Sequence, residues 1–318
     1  MPDLHHAIHS ALQDCLKIER NESILILADK PLSELGYTFY QKSQAIAKKS
    51  YLTILPEVNN HGAEPPRFIA TMMGKNDVVI MLTSRSLSHT KARRRATQKG
   101  TTRIISLPGV TKETLIRTLT GNYKQLIYYS RKLADILTIG RSATLTTKKG
   151  THLTFSISRM KGKSDTGMIH QPGQFSNLPA GEGCIGPVQG STEGILILDG
   201  SFPQVGLIKK PVKMSIKAGQ IVRISGKEEA EKIRKLLRPF GKDGRNVAEI
   251  GIGTNPNAKM TGLTLEDEKV LGTMHVGFGN NISFGGKVDV KCHFDGVVRK
   301  ATLVIDGKTI LEDGELKV

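Results

Sequence analysis

Residues 23–58 read SILILADKPLSELGYTFYQKSQAIAKKSYLTILPEV, and this stretch decides the fold class of the first half of the chain. SILILAD (23–29) is a strand-forming run that follows the turn-prone Asn21. Pro31 sits where a first helical turn tolerates it, and LSELGYTFYQKSQAIAKK follows with helical spacing. YLTILPEV (51–58) then reads as a second strand. Strand, helix and strand in that order imply a right-handed crossover that leaves the two strands parallel.

The same alternation continues outward. PPRFIATMMGK (65–75) has the proline start and glycine stop of a helix, and DVVIML (77–82) is a third strand. A helix is expected over 86–99, a fourth strand at TRIISLP (102–108) and one helix over 110–137, with Thr111 and Glu113 near its start. The expectation is an α/β domain over 1–140, a parallel sheet with flanking helices of doubly wound or flavodoxin-like type. The turn after the first strand is Asp29-Lys30-Pro31 rather than GxGxxG, so it offers no glycine cradle for a phosphate.

Composition changes near Gly140. Short β-like runs broken by glycine follow, with KKGT and IDGK as hairpin turns. Two helices are expected there, at 227–240 and around LEDEKVLG (265–272). Residues 141–318 are therefore expected to form a second domain, β-rich and of α+β type. A length of 318 residues also favours two domains over one core.

The chain is 38% hydrophobic and 24% charged, and no stretch approaches the ~18–20 apolar residues of a membrane span. MPDLHHAIHS lacks the basic start and apolar run of a signal peptide, so a cytoplasmic address without membrane partners is expected. Cys15, Cys184 and Cys292 are odd in number and form no CxxC pair, which favours buried free thiols over disulfides or a thiolate zinc site. The net charge of +17 raises nucleic acid as a partner. The basic cluster Lys91, Arg93, Arg94, Arg95 and Lys99 has no interleaved aromatic rings, and the chain has no tryptophan. Stacking platforms need such rings, so the cluster reads as the solvated face of an exposed helix, and nucleic acid is not the expected partner.

Four segments of the second half carry candidate chemistry: NLPAGE (177–182), AEIGIGTNP (248–256), GTMHVGFGNN (272–281) and HFDGVV (293–298). In a strand, His293 and Asp295 project to one face. His275 lies between Gly272 and the Gly277–Gly279 pair, which permits close backbone approach. Glu249 is flanked only by apolar residues and glycine, a costly setting for an uncompensated carboxylate. Glu182 follows a tight Pro179-Ala180-Gly181 turn. Together these residues form an oxygen and nitrogen ligand set that suits zinc, manganese, cobalt or iron(II) better than magnesium or calcium.

In this order the four segments resemble the metal-binding segments of the aminopeptidase T and aminopeptidase S family of metallopeptidases. The resemblance implies an N-terminal α/β domain, a β-rich metal-binding domain, dimerisation and two divalent ions. By motif position it implies Glu182, Glu249, His275, His293 and Asp295 as ligands. The peptidases place a tyrosine a few residues after the histidine that His275 matches; here that stretch is GFGNNISFGG. The same superfamily includes an iron(II) ring-cleaving dioxygenase acting on 2,5-dihydroxypyridine.

The leading expectation is a metal-dependent aminopeptidase-like hydrolase acting on small peptides, with a zinc, cobalt or manganese ion activating water. Glu182 or Glu249 is expected as general base where not fully engaged as a ligand, with Glu182 favoured for its loop position. The first rival is a non-haem iron(II) dioxygenase that cleaves a hydroxylated aromatic ring. The second is a non-catalytic basic binding protein on a degenerate peptidase scaffold.

Overall fold

A computed structural model describes residues 3–121 and 123–318. The chain divides into two compact units, residues 1–121 with 167–180 and residues 122–166 with 181–318. The composition change near Gly140 therefore falls inside the second unit.

The first unit contains α1 (Leu4–Ser10), β1 (Ser23–Asp29), α2 (Ser33–Gln44), β2 (Lys49–Leu55), α3 (Arg67–Met73), β3 (Val78–Leu82), α4 (Lys91–Gln98), β4 (Arg103–Ser106) and α5 (Lys112–Leu119). The second unit then begins with α6 (Tyr123–Ile139), β5 (Ser142–Thr147), β6 (His152–Ser156) and β7 (Lys163–Asp165). The chain next returns to the first unit for β8 (Phe175–Asn177).

The first sheet runs in the order β2-β1-β3-β4-β8, and every pair in it is parallel. Residues 24–29 of β1 and all of β3 are buried, as expected for central strands covered on both faces. The parallel α/β architecture expected from residues 23–58 is the one observed.

Three local expectations shift. The helix expected over 86–99 starts at Lys91, because the Thr90 side chain caps it by accepting from the Arg93 amide. The segment before it is held by turns in which Ser86 donates to Ser88. The helix expected over 110–137 is two helices, α5 and α6, with Gly121 between them. The basic cluster is not wholly solvated, since Arg93 faces inward on α4 beside Ala92, Ala96 and Thr97. Its guanidinium lies 4.2 Å from the Phe175 ring centre, and burial lowers it to about 9. Lys91, Arg95 and Lys99 remain exposed.

The second unit continues through β9 (Glu182–Ile185), β10 (Glu193–Leu198), β11 (Ser201–Phe202), β12 (Gly206–Leu207), β13 (Val212–Lys217), β14 (Gln220–Ser225) and α7 (Glu228–Leu237). It ends with β15 (Val247–Gly253), α8 (Thr264–Asp267), β16 (Met274–Gly279), β17 (His293–Val298), β18 (Ala301–Ile305), β19 (Lys308–Glu312) and β20 (Glu315–Leu316). An eight-stranded antiparallel sheet has the order β14-β13-β10-β6-β5-β18-β19-β20, with KKGT and IDGK at its hairpin turns. A five-stranded antiparallel sheet has the order β17-β16-β15-β9-β7. The helix expected over 265–272 is a single turn, α8, which ends at Asp267.

The five-stranded sheet is two-faced. Alternation sends Ile250, Ile252, Met274, Val276, Phe278, Phe294 and Val298 into the main apolar cluster, which also holds Leu133 and Leu137 of α6. Each such side chain contributes about 1.5–3 kcal/mol on burial, which fixes the register of these strands. The other face is thereby committed to the intervening residues, and those are the charged ones.

Candidate metal centre

That opposite face carries all five candidate residues. Glu182 opens β9, Glu249 lies on β15, His275 on β16, and His293 and Asp295 on β17. The ladder places a glycine directly across from each. Glu182 faces Gly253, Glu249 and Asp295 both face Gly277, His275 faces Gly251, and His293 faces Gly279. These glycines make room. A Cβ on Gly251 would lie 2.1 Å from His275 Cε1, so the imidazole rests flat against that backbone. A Cβ on Gly277 would lie 2.7 Å from Asp295 Oδ1 and 2.9 Å from both Glu249 Cβ and His293 Nε2. No residue with a side chain fits at either position without displacing the site.

Two triads result. Donor atoms of Glu182, Glu249 and His275 lie within 4.8 Å of one another, and so do those of Glu249, His293 and Asp295. Glu249 is common to both. His293 Nε2 is 3.0 Å from Glu249 Oε2 and 3.1 Å from Asp295 Oδ1. His275 Nε2 is 3.2 Å from Glu182 Oε2 and 3.7 Å from Glu249 Oε1. His293 Nδ1 lies 2.9 Å from the Asn280 carbonyl oxygen, which can only accept. Nδ1 therefore carries a proton, and Nε2, which faces the carboxylates, donates to them in the protonated ring and is the atom left for a cation when that proton is lost. The Phe284 ring stacks on the same imidazole at 5.8 Å between centres.

This face is crowded with carboxyl groups, and burial raises one of them, Glu268, to about 8. Asp165, Glu182, Glu249, Glu268 and Asp295 gather around one lysine, Lys269, and two imidazoles. Burial alone would lower His275, but Glu249, Glu182 and Glu268 outweigh it and raise the ring to about 9. Burial opposes charge on His293 too, and Asp295 and Glu249 raise it well above its ordinary value. Both imidazoles are thus driven to hold protons. Burial would raise Glu249, but hydrogen bonds from the two histidines hold it well below the usual carboxylate range. Glu182 is raised by burial, an effect that Lys269 and His275 only partly offset. Its Oε2 makes no hydrogen bond of good geometry despite its closeness to His275.

A cation fits this donor set. Imidazoles and carboxylates suit divalent first-row metals, and a dication would supply the positive charge that protons on His275 and His293 otherwise provide. Among the described residues, neither group of donors includes a cysteine. Cys184 is on the same face, opposite Gly251, but burial beside Glu249 and Glu182 pushes its thiol well above its ordinary range. All three cysteines are buried thiols outside any disulfide, as their spacing suggested.

Sequence reasoning brought the five candidates together and missed three neighbours, Asp165, Glu268 and Lys269. DEK within LEDEKVLG reads as a solvated helical face, yet Glu268 and Lys269 are buried just past the end of α8. Their signal was absent because α8 stops after one turn. The alternating glycines opposite Glu249 and His275 were a visible signal for the pairing that joins those two strands. Glu182 departs from its expected setting. It is not a loop carboxylate open to a cleft but the buried first residue of β9, with Lys269 Nζ 2.6 Å from its Oε1. Lys269 thus occupies one oxygen of Glu182, and the other, Oε2, faces His275.

Among the described residues no helix is long and apolar enough to cross a membrane. A family model described as 2,5-dihydroxypyridine 5,6-dioxygenase matches residues 10–318. The 2,5-dihydroxypyridine 5,6-dioxygenase of Pseudomonas putida is 25% identical over 194 residues, 57% of this chain and 55% of that protein. The match thus spans about half the length of that curated relative. The solved structure of the 2,5-dihydroxypyridine dioxygenase from Pseudomonas putida superposes with a TM-score of 0.84 at 21% identity, covering 98% of this chain and 96% of that one. Wild-type AmpT from Thermus thermophilus superposes with a TM-score of 0.69 at 14% identity, covering 99% of each chain. At these identities the two structures show a shared fold. The family match overturns the expectation of a hydrolytic aminopeptidase, together with its peptide substrate and its metalloprotease class. The missing tyrosine agrees with that correction. The ring three residues after His275 is Phe278, which has no hydroxyl and points into the apolar core. The likeness to AmpT is one of fold, and the chain belongs to the 2,5-dihydroxypyridine 5,6-dioxygenase family.

Proposed function

We propose that this chain is a non-haem iron(II) dioxygenase that opens a hydroxylated pyridine ring of the 2,5-dihydroxypyridine type. The observation that carries this reading is the pair of imidazoles and carboxylates converging on one glycine-lined sheet face, in a chain of this family. Two histidines with a carboxylate are the donor set associated with iron(II) oxygenases. His275, His293 and Asp295 would hold the ion, with Glu249 between the two triads and Glu182 beside His275. When bound, iron(II) supplies the electron chemistry that activation of dioxygen requires.

The chain's own residues have definable tasks. The Asn280 carbonyl holds the His293 proton on Nδ1, which keeps Nε2 available as a donor. Phe284 fixes the plane of the same ring by stacking. Gly251 and Gly277 keep the space beside His275, His293 and Asp295 free of side chains. Burial of Glu182, Glu249, His275 and His293 limits water among the donors, which strengthens every charge interaction there.

The test is anaerobic reconstitution with ferrous iron, followed by oxygen uptake and loss of the ring absorbance of 2,5-dihydroxypyridine. The expected result is equimolar consumption of oxygen and substrate with iron and none with zinc. An iron-loaded protein that leaves the ring intact, or one that turns over only with zinc, would refute the reading.

A further inference from the structure

Lys269 is fully buried, yet it lies in a segment with no regular structure just past α8. Its Nζ stands 2.6 Å from Glu182 Oε1, 3.0 Å from Glu268 Oε1 and 3.7 Å from Asp165 Oδ2. The local backbone is built to hold it there. The Lys269 amide donates to the Glu266 carbonyl, and the Lys269 carbonyl accepts from the Asn255 amide. The segment lies flat on β15 because residue 253 is glycine. A Cβ there would lie 2.1 Å from the Val270 carbonyl oxygen and 2.8 Å from that of Glu268. Gly253 is also the residue directly across the ladder from Glu182. One glycine therefore brings the lysine segment down onto the strand that pairs with Glu182.

This geometry divides the Glu182 carboxylate. Oε1 faces Lys269, and Oε2 faces His275 Nε2 at 3.2 Å. An ammonium and a carboxylate at this separation in a dry interior interact strongly, and a lysine with three carboxylate partners does not release one without leaving a buried charge exposed to its neighbours. We infer that Lys269 is a positioning residue of the metal centre: it pins Oε1 of Glu182, so that this glutamate offers one oxygen, Oε2, to the ion held beside His275. This inference rests on the metal-centre reading above and adds to it the part of the site that decides how Glu182 binds. Asp165 and Glu268 hold the ammonium from its other sides, so the lysine is itself fixed.

The test is a double-mutant cycle on metal affinity, with cobalt(II) as the probe because its absorption spectrum reports coordination. The single variants are Glu182→Gln and Lys269→Met, and the double variant carries both. Removing an outer partner of a ligand typically costs about 10–100-fold in metal affinity. The Lys269→Met protein should show a loss of that size with an altered cobalt spectrum. In the Glu182→Gln background, adding Lys269→Met should change affinity by less than about twofold, because the carboxylate it positions is gone. Equal losses in both backgrounds would overturn the inference, since they would mean that Lys269 acts on the site independently of Glu182.

Should Lys269→Met fail to fold, the double variant compared with Glu182→Gln alone separates the same two outcomes. A further loss of about tenfold in the double variant refutes the positioning role, and equal affinity supports it. Failure of the underlying reading looks different. Wild-type protein that binds no cobalt, or a Glu182→Gln protein with wild-type affinity, would remove Glu182 from the centre whatever Lys269 does.

Discussion

Arg103 in the first unit and Glu249 in the second are both buried charged residues on sheet strands, yet their surroundings differ in kind. Arg103 is closed off. Its two terminal nitrogens clasp both oxygens of Glu22, and its Nε donates to the Leu16 carbonyl at 3.1 Å. One cation meets one anion, and the remaining donors are met by backbone. The face around Glu249 instead crowds five carboxyl groups with one lysine and two imidazoles, and the imidazoles and Glu268 are all pushed toward their protonated forms. A balanced buried pair is a structural device. A buried cluster that holds protons to relieve its carboxylates has places that a cation could take instead. The contrast shows where to look for function: a buried charge closed off by one partner is structural, whereas several carboxyl groups and imidazoles sharing protons on one face make a candidate site.

The contrast is challenged most directly at His293. His293→Ala should lower metal affinity by more than about a hundredfold, since it removes a donor rather than an outer partner. Elemental analysis of protein prepared without chelator reads this as bound metal per chain. Unchanged occupancy would mean that the second cluster is as structural as the first.

The first unit supplies the next largest effect. Arg103→Ala leaves Glu22 without its partner and should destabilise by about 3–5 kcal/mol, seen as a lower urea midpoint. Metal occupancy of the folded fraction should not move. A parallel loss of metal would erase the distinction between the two networks.

Gly277→Ala probes the same contrast from the side of space rather than charge. Its Cβ would press on Asp295, Glu249 and His293 together. Overpacking of this kind costs about 1–3 kcal/mol, and metal affinity should fall with stability. A variant with wild-type affinity would show that the glycine lining is not needed for the donor geometry.

The smallest effect concerns an exposed carboxylate outside both networks. Asp306 accepts from the Arg141 and Ser142 amides, and these hydrogen bonds hold its carboxyl below its usual range. A depressed folded value means that its stabilisation is fully present above the unfolded pKa and is lost as pH falls through the folded one. Asp306→Asn should therefore be less stable than wild type near neutrality, with the gap closing below about pH 4. A gap that widens with acid would reverse the sign of the argument. The effect is confined to one exposed group and leaves the metal centre untouched.

Much of this molecule was legible in its sequence. Residues 23–58 pointed to the parallel sheet because a buried strand, a proline-started helix and a second strand leave few alternatives. The five donors were legible as well, since each stands in a short segment where glycine and apolar neighbours make a polar side chain conspicuous. Their convergence was not. Glu182, Glu249, His275 and His293 share a face because the antiparallel register sets each against a glycine of the next strand, and that register is fixed by apolar residues on the opposite face. The return of residues 167–180 to the first sheet left no local trace, because β8 has three residues and its partners are remote in sequence.

Short segments were thus enough for the fold class and for singling out the candidate residues, because local periodicity and residue chemistry are local properties. Which candidate residues meet was settled by long-range packing, and so was the pairing of Glu182 Oε1 with Lys269. The same packing folds DEK inward instead of leaving it to water. The physical reason is that a buried charge is defined by its partners, and here those partners come from strands and turns tens of residues apart.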